Sequence, residues 1–227
     1  MIASIHQPNF FPWMGFFDKI NRSDHFVLLT ASYRSKSDKF LTRTKIVNNL
    51  KQQYLSVPLG NQEIPINRLM MPENNQWKLK SLNVIHAAYH NTNFHDEVFS
   101  DVEKLLMFEC KYYSEYSINI ITYFVNKFNI NTILHIDSDF DKNFGTSNQR
   151  NIALCKEIGG DVYLSGNGAK DYNDDNLYKK SSISLVYQDY IHPFYKQQSS
   201  EFVSGLSILD TVFNCGYNEA EILLKNS

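Results

Sequence analysis

The sequence predicts an α/β protein with a mainly parallel sheet flanked by helices and with a helical insertion or sub-domain. Three observations predict this class. Short apolar runs alternate with helical segments, a strand–helix–strand unit opens the chain, and residues 75–128 carry helical periodicity throughout. Strands joined through helices pair in parallel, because each crossover returns the chain to the same end of the sheet. We expect residues 1–227 to form a single α/β domain with residues 75–130 as a helical insertion.

The first elements form a βαβ unit. Residues 1–6 are a strand, residues 13–21 have the spacing of an amphipathic helix, and residues 26–31 (FVLLTA) are a second strand. After a polar stretch, residues 53–58 (QYLSVP) are a strand candidate, and residues 64–71 are expected to be extended up to Pro72.

The later elements repeat the alternation after the helical insertion, in which apolar residues recur at helical spacing in three groups. Two glycines, Gly159 and Gly160, end one later helix, and Gly216 ends the last. The predicted elements are strands at 133–136, 162–165 and 183–187, and helices at 148–158 and 207–215.

Composition excludes several classes of protein. With 43% hydrophobic residues a packed core is available, and 14 Tyr and 16 Phe supply contact area for a core, an interface or a sugar face. The net charge of −2 and the lack of a basic stripe disfavour a nucleic-acid binder. Three well-separated cysteines form no CxxC pair, so neither a disulfide framework nor a zinc ribbon is expected. No signal peptide and no membrane span are recognisable, and we expect a cytoplasmic protein.

The first chemical motif is His6-Gln7-Pro8-Asn9, directly after the first strand. A histidine there is a candidate general acid or base, since its reference pKa lies near neutrality. The amides of Gln7 and Asn9 offer paired donors and acceptors for a ligand rich in hydroxyl or amide groups. The alternative is a structural turn with His6 bonded to backbone.

The second motif, LSGNGAKDY at 164–172, again follows a strand. Gly166 and Gly168 would let backbone N–H groups approach an anion or a carbonyl oxygen, and Lys170 would counter a phosphate charge. The spacing matches neither a Walker loop nor GxGxxG. An ordinary turn is the alternative.

The third motif is YIHPFY at 190–195, in which Pro193 favours an extended His192. A loop with a histidine and two tyrosines could line a cleft. Downstream, Ser207 is a natural N-cap with Asp210 at the capping-box position, and a structural role for this pair is as well supported as a functional one.

Other patterns favour structural interpretations. His86 and His90 share a helix face but lack a third ligand at metal-site spacing. The acidic residues Asp137, Asp139 and Asp141 fail the later positions of a calcium loop and indicate a solvated loop. No metal is predicted, and without a GxSxG elbow a serine hydrolase is unsupported.

These segments together resemble the WbqC-like family, in order and over nearly the whole chain, with the weakest match at about 60–130. The resemblance implies a cytoplasmic role in bacterial surface-polysaccharide biosynthesis, including O-antigen, in making or decorating an activated sugar. The positions that match are His6, Gln7, Pro8, Asn9, Trp13 and Gly15; Ser165, Gly166, Lys170, Asp171 and Tyr172; and His192, Pro193, Tyr195, Ser207, Asp210 and Asn214.

From the motifs and this resemblance we expect N-acyl or aminoacyl transfer to a nucleotide-linked amino sugar. His6 is the first candidate base and His192 the second, Lys170 and Arg43 neutralise the diphosphate, and Trp13, Tyr172 and Tyr195 stack on a base or sugar face. The acyl or aminoacyl donor and any cofactor are unidentified, the partner is the nucleotide-linked sugar, and a homo-oligomer stays open.

Two alternatives belong to other classes. One is a non-catalytic nucleotide-sugar-binding scaffold. The other is a nucleotidylyltransferase-like enzyme that activates a carboxylate with ATP. A topological likeness supports the second, although its HxGH signature is absent.

Overall fold

A computed structural model describes residues 1–34, 40–48, 51–60, 63–199 and 201–227. Seven strands and seven α-helices are present in these ranges. The strands are β1 (Ile2–His6), β2 (His25–Leu28), β3 (Arg43–Asn48), β4 (Lys51–Ser56), β5 (Ile133–Ile136), β6 (Val162–Ser165) and β7 (Ser184–Tyr187). The helices are α1 (Met14–Asn21), α2 (Gln76–Tyr89), α3 (His95–Met107), α4 (Tyr113–Lys127), α5 (Ser147–Glu157), α6 (Asp175–Lys180) and α7 (Ile208–Lys225).

A five-stranded parallel sheet in the order β5-β2-β1-β6-β7 forms the centre of the fold. If only the strands of this sheet are numbered along the chain, their order across the sheet is 3-2-1-4-5. This is the order of the first five strands in a dinucleotide-binding sheet. The strand order reverses between β1 and β6: β2 and β5 lie on one side of β1, and β6 and β7 lie on the other. The ladder there holds two residue pairs, Ile2–Val162 and Ala3–Tyr163, whereas β1 and β2 share four.

Two hydrophobic clusters cover the two faces of the sheet. Phe26 and Leu28 of β2 point into a large cluster built with α1, the insertion helices α2 to α4 and α7. Val27, between them, points into a smaller cluster with residues of α5 and α6 such as Leu154 and Tyr178. The alternation along β2 therefore places helices on both faces, and the predicted α/β class with a helical insertion is confirmed.

The antiparallel hairpin β3–β4 corrects the expectation of a polar stretch before a single strand. Only Thr44 and Ile46 of β3 are buried, while Arg43 and Lys45 alternate with them on the other face. A strand with two polar positions and a buried threonine leaves little apolar periodicity to detect. The predicted extended segment at 64–71 also contains a short 3₁₀ helix, Ile66–Arg68.

One helix was not predicted, and another extends further than predicted. The six-residue α6 was not predicted, although Asp174 caps it by accepting a hydrogen bond from the Leu177 N–H. The last helix does not end at Gly216: this residue has φ 75° and ψ 171°, which kinks α7, and helix resumes to Lys225. No helix within the described ranges combines the length and the apolar character that crossing a membrane requires.

Candidate functional site

The carboxyl ends of the five parallel strands share one edge of the sheet. His6 ends β1, and the segment from Gly166 to Lys170 follows β6. Because β1 and β6 are neighbours at the point where the strand order reverses, their loops flank the crevice in which open α/β sheets bind ligands. The first two sequence motifs therefore lie at the same edge of the sheet.

In the first motif, the His6 Nδ1 lies 2.8 Å from the Gln7 carbonyl oxygen, and its ring stands edge-on to Phe16. Since a carbonyl only accepts, Nδ1 carries the proton in this contact. The Gln7 amide donates to the Ser32 hydroxyl (2.9 Å) and to the Tyr33 carbonyl (2.8 Å). Its Oε1, like the Oδ1 of the buried Asn9, is buried and has no partner in the part of the chain that the structure describes.

The loop after this motif is held in an unusual backbone conformation. Phe11 is fully buried with φ 40°, in the left-handed region that non-glycine residues rarely adopt. Its carbonyl accepts hydrogen bonds from the hydroxyls of Thr44 (2.8 Å) and Ser207 (2.9 Å). Strain of this kind is found where surrounding structure over-determines a segment, often at functional sites. Here β3 and the start of α7 together fix the loop.

Trp13, the residue before α1, packs against the third motif. The indole stands edge-on to Tyr190, with ring centroids 5.2 Å apart, and stacks on His192 at 6.5 Å. Its other side covers Gly15, where a Cβ would overlap the ring. Residues from the amino-terminal and carboxyl-terminal parts of the chain are thus brought together.

The protonation state of His192 follows from its contacts. Nδ1 lies 3.0 Å from the Pro193 carbonyl and so carries the proton, which leaves the lone pair on Nε2. Nε2 is buried and has no hydrogen-bond partner among the described residues. Burial lowers the pKa of His192, so the ring is neutral at pH 7. A neutral imidazole with a free lone pair is the form in which histidine acts as a general base.

Tyr195 and Asp210 meet behind His192. The Tyr195 hydroxyl donates to Asp210 Oδ2 (2.8 Å), and the Tyr89 hydroxyl donates to Oδ1 (3.0 Å). Burial raises the pKa of Asp210, which is 2% exposed. The expected N-cap is present, since the Ser207 hydroxyl accepts from the Leu209 N–H.

The capping box expected at Asp210 does not form, because its carboxylate turns into this tyrosine cluster instead of towards the helix start. Asn214 donates to the Asp210 carbonyl (2.7 Å) in a bond local to α7.

The second motif lies on the β7 side of the edge. Ser165 is buried and accepts from the Asn173 amide (3.0 Å), whereas Lys170 is exposed with its Nζ 5.4 Å from the centre of the Tyr187 ring. Asp171 and Tyr172 are exposed as well.

The backbone conformation does not require glycine at either of the two glycine positions of this motif. Gly166 and Gly168 lack a positive φ, and open space surrounds the Cβ position of each. The N–H groups of Ala169 and Lys170 bond within the turn, to the carbonyls of Gly166 and Asn167, and so are not available to a ligand.

Arg43 opens β3, beside the strained loop. Its guanidinium lies 4.9 Å from the centre of the Tyr54 ring, and its Nε is buried with no partner in the described ranges. The side-chain hydroxyl of the next residue, Thr44, donates to the Phe11 carbonyl in the loop that follows the first motif.

Sequence reasoning missed two side chains at this edge. Gln188, directly after β7, is buried and donates to the Gly15 carbonyl (2.7 Å) and to Asp18 Oδ2 (2.5 Å). Asp137, expected in a solvated loop, is 5% exposed and accepts from the backbone N–H (2.6 Å) and hydroxyl (2.9 Å) of Thr30. The position of each directly after a strand was the available signal.

The histidines considered for a metal contact each other. His86 Nδ1 lies 3.1 Å from His95 Nε2, and the His86 and His90 rings are 5.7 Å apart. In the described part of the chain, no group of three or more His, Cys, Asp or Glu side chains has the arrangement of a metal site.

Comparison with known proteins agrees with the motifs. Residues 7–222 match the WbqC-like protein family. The chain is 25% identical over 230 residues to the uncharacterized protein Rv1507c of Mycobacterium tuberculosis (strain ATCC 25618 / H37Rv), a match that covers 97% of this chain and 96% of that protein. No solved structure matches significantly. Because the match covers almost the full length and includes all three motifs except His6, this chain belongs to the WbqC-like protein family.

Proposed function

We propose that this chain is a cytoplasmic enzyme of bacterial surface-polysaccharide (O-antigen) biosynthesis that transfers an acyl or aminoacyl group to the amine of a nucleotide-linked sugar. One observation carries the proposal. Nine buried side-chain nitrogen or oxygen atoms lack a partner among the described residues, and four of them belong to predicted site residues: Gln7, Asn9, Arg43 and His192. Buried polar groups are normally hydrogen-bonded, so such a concentration favours a site that a polar ligand completes.

The crevice between β1 and β6 supports the nucleotide part of the substrate. Open α/β sheets bind nucleotides where their strand order reverses. Lys170 and Arg43 are the cations proposed for the diphosphate. Tyr195 is buried on Asp210, so ring stacking is assigned to the partly exposed Trp13 and to Tyr172, which is 72% exposed.

His192 is better suited than His6 to act as the base, because its Nε2 lone pair is unpartnered. Nε2 takes a proton from the sugar amine as the amine nitrogen bonds the acyl carbon and the carbonyl electrons move to oxygen. When those electrons return, the bond to the leaving group breaks, and the imidazolium protonates that group. Since Nε2 is buried, the amine reaches it only when a neighbouring ring, such as that of Trp13, moves aside.

The test is amide formation from nucleotide-linked amino sugars and acyl or aminoacyl donors, followed by mass spectrometry. We expect His192→Gln to lower kcat by about 10²–10⁴-fold, the usual contribution of a general base. His86→Gln, an exposed histidine on α2, is the matched control and should keep full turnover. Equal turnover in wild type and His192→Gln would remove His192 from the mechanism, and His6→Ala then tests the other candidate.

A second candidate function is ATP-dependent activation of a carboxylate, as in nucleotidylyltransferases. The strand order favours it, because it is the order of nucleotide-binding sheets. Pyrophosphate release from ATP and Mg²⁺ that depends on an added carboxylate would select this function. Amide formation without any nucleoside triphosphate would select acyl transfer.

A further inference from the structure

A cavity of about 190 Å³ lies beyond Tyr195, away from the sheet-edge crevice. It has room for roughly six water molecules at about 30 Å³ each. Four parts of the chain line it: Val47 of β3, the end of α2 from Ala87 to Asn91, the segment from Gln197 to Ser199, and Asp210 of α7. Three amides, two hydroxyls, an imidazole and the Asp210 carboxylate account for seven of the ten described lining residues, so the cavity suits a small polar ligand.

Asp210 contributes a buried carboxylate without a counter-charge. Three neutral groups donate to it: the hydroxyls of Tyr89 and Tyr195 and the Gln197 amide (3.0 Å). No Lys, Arg or His side chain of the described residues lies within 4.0 Å of it. Buried charges in proteins are normally paired, so the carboxylate lacks the cation that would offset its desolvation.

The acceptor capacity of this carboxylate is not exhausted. A carboxylate offers about four lone-pair positions, and three are used here. The Gln197 amide is held with its NH₂ group towards Asp210, because its Oε1 accepts from the Val203 N–H (2.8 Å). One strong acceptor position is therefore left for a donor that enters the cavity.

The end of α2 adds negative potential to the same cavity. Tyr89 is the last residue of this 14-residue helix, and His90 follows it. Carbonyl groups at a helix C-terminus carry a partial negative charge that favours cations. Of the ten lining residues, only His90 has a basic side chain.

We propose that this cavity is a binding site for the primary ammonium group of a small polar ligand, with Asp210 as its counter-ion. The proposal rests on the proposed transfer reaction only for the choice of ligands, since the amino sugar and an aminoacyl donor of that reaction both carry an ammonium group. An amino sugar supplies a ring ammonium, and an aminoacyl donor supplies an α-ammonium. Tyr195 joins the cavity to His192, their ring centroids being 6.0 Å apart.

The test measures binding to the full chain by calorimetry at pH 7, where an α-amino group is mainly protonated. The probes are glucosamine and alanine amide, each beside its uncharged counterpart, glucose and N-acetylalanine amide. We expect at least one amine to bind, its counterpart to bind at least tenfold more weakly, and Asp210→Asn to lose at least tenfold in affinity for that amine. Binding of glucosamine alone identifies the sugar, and binding of alanine amide alone identifies the donor.

A second variant keeps the test decisive if Asp210→Asn fails to fold. Ala87 is exposed on α2 and lines the cavity, so Ala87→Phe fills it without touching the carboxylate. This variant should melt like wild type and lose amine binding. Binding by neither amine, equal binding of amines and uncharged counterparts, or unchanged binding in Ala87→Phe would overturn the proposal.

The experiments distinguish failure of the proposed transfer reaction from failure of the proposed ammonium site. The control variant His86→Gln should bind the amine as wild type does, because that exposed residue does not line the cavity. Amine binding without any turnover would therefore discard the transfer reaction and keep the ammonium site.

Discussion

Gly15 shows how one missing side chain positions the indole of the candidate site. A Cβ at Gly15 would overlap the Trp13 ring, which also contacts Tyr190 and His192. We predict that Gly15→Ala displaces the indole, lowers the free energy of unfolding by about 1–3 kcal/mol and shifts tryptophan emission to longer wavelength. Equilibrium unfolding in urea followed by fluorescence measures both changes.

Gly168→Ala is the matched control for that substitution. Gly168 has open space at its Cβ position and no positive φ, so alanine there should change stability by less than about 0.5 kcal/mol. If the two variants unfold at the same urea concentration and with the same emission, Gly15 has no role in placing Trp13.

At the scale of single residues, the sequence shows which side chains could take part in chemistry, but not what surrounds them in the fold. It singled out His192 as a candidate base, and Asp210 as a capping-box position that also matches the family. It could not predict that one would carry an unpartnered Nε2 and that the other would be buried under two tyrosine hydroxyls, because Tyr89 and Asp210 are 121 residues apart. Contacts at such separations depend on the assembled fold and leave no local pattern.

Among the elements, α7 depends on a glycine inside it. Gly216 adopts φ 75° and ψ 171°, a conformation nearly confined to glycine, and a Cβ there would lie 2.7 Å from the Phe94 ring. Alanine is the better helix former by about 1 kcal/mol in a regular helix. We nevertheless predict that Gly216→Ala destabilises the protein by about 3 kcal/mol, measured by guanidinium unfolding.

Asn218→Ala is the matched control on the same helix. Asn218 is exposed one residue beyond Tyr217, so its replacement should be neutral within about 0.5 kcal/mol. A Gly216→Ala variant as stable as wild type would mean that the kink is unnecessary.

The elements that sequence patterns predicted are those with a clear apolar face. The parallel strands and the insertion helices have such faces. The missed strand β3 buries a threonine and one isoleucine, and the missed helix α6 has six residues with one buried tyrosine. Elements with so little buried apolar surface are stabilised mainly by their neighbours.

For the whole molecule, stability should depend on pH through Lys19. This lysine is buried between α1 and β1 and donates to the Ile5 carbonyl (3.0 Å), and burial lowers its pKa to about 7. In the unfolded chain its pKa is about 10.4, so between these values the unfolded state binds the extra proton. Stability attributable to Lys19 therefore rises with pH from about 7, by up to about 1.4 kcal/mol per unit.

Lys19→Met removes this dependence while it keeps the apolar part of the side chain. As the pH rises from 7 to 8.5, the free energy of unfolding of wild type should increase relative to that of the variant. Burial raises the pKa of the Cys155 thiol to about 11 in both proteins, so the contribution of this thiol cancels in the difference. Parallel curves for the two proteins would show that Lys19 keeps its proton in the folded state.

The short ladder between β1 and β6 also bears on how the polypeptide matures during translation. β1 emerges from the ribosome about 160 residues before the strand that flanks it on that side, and the Ser207 hydroxyl that supports Phe11 comes later still. Until then one edge of the central strand has no neighbour, and an unpaired edge invites aggregation. The first motif is synthesised early but its surroundings are completed late, so slower synthesis at lower temperature should raise the yield of folded protein.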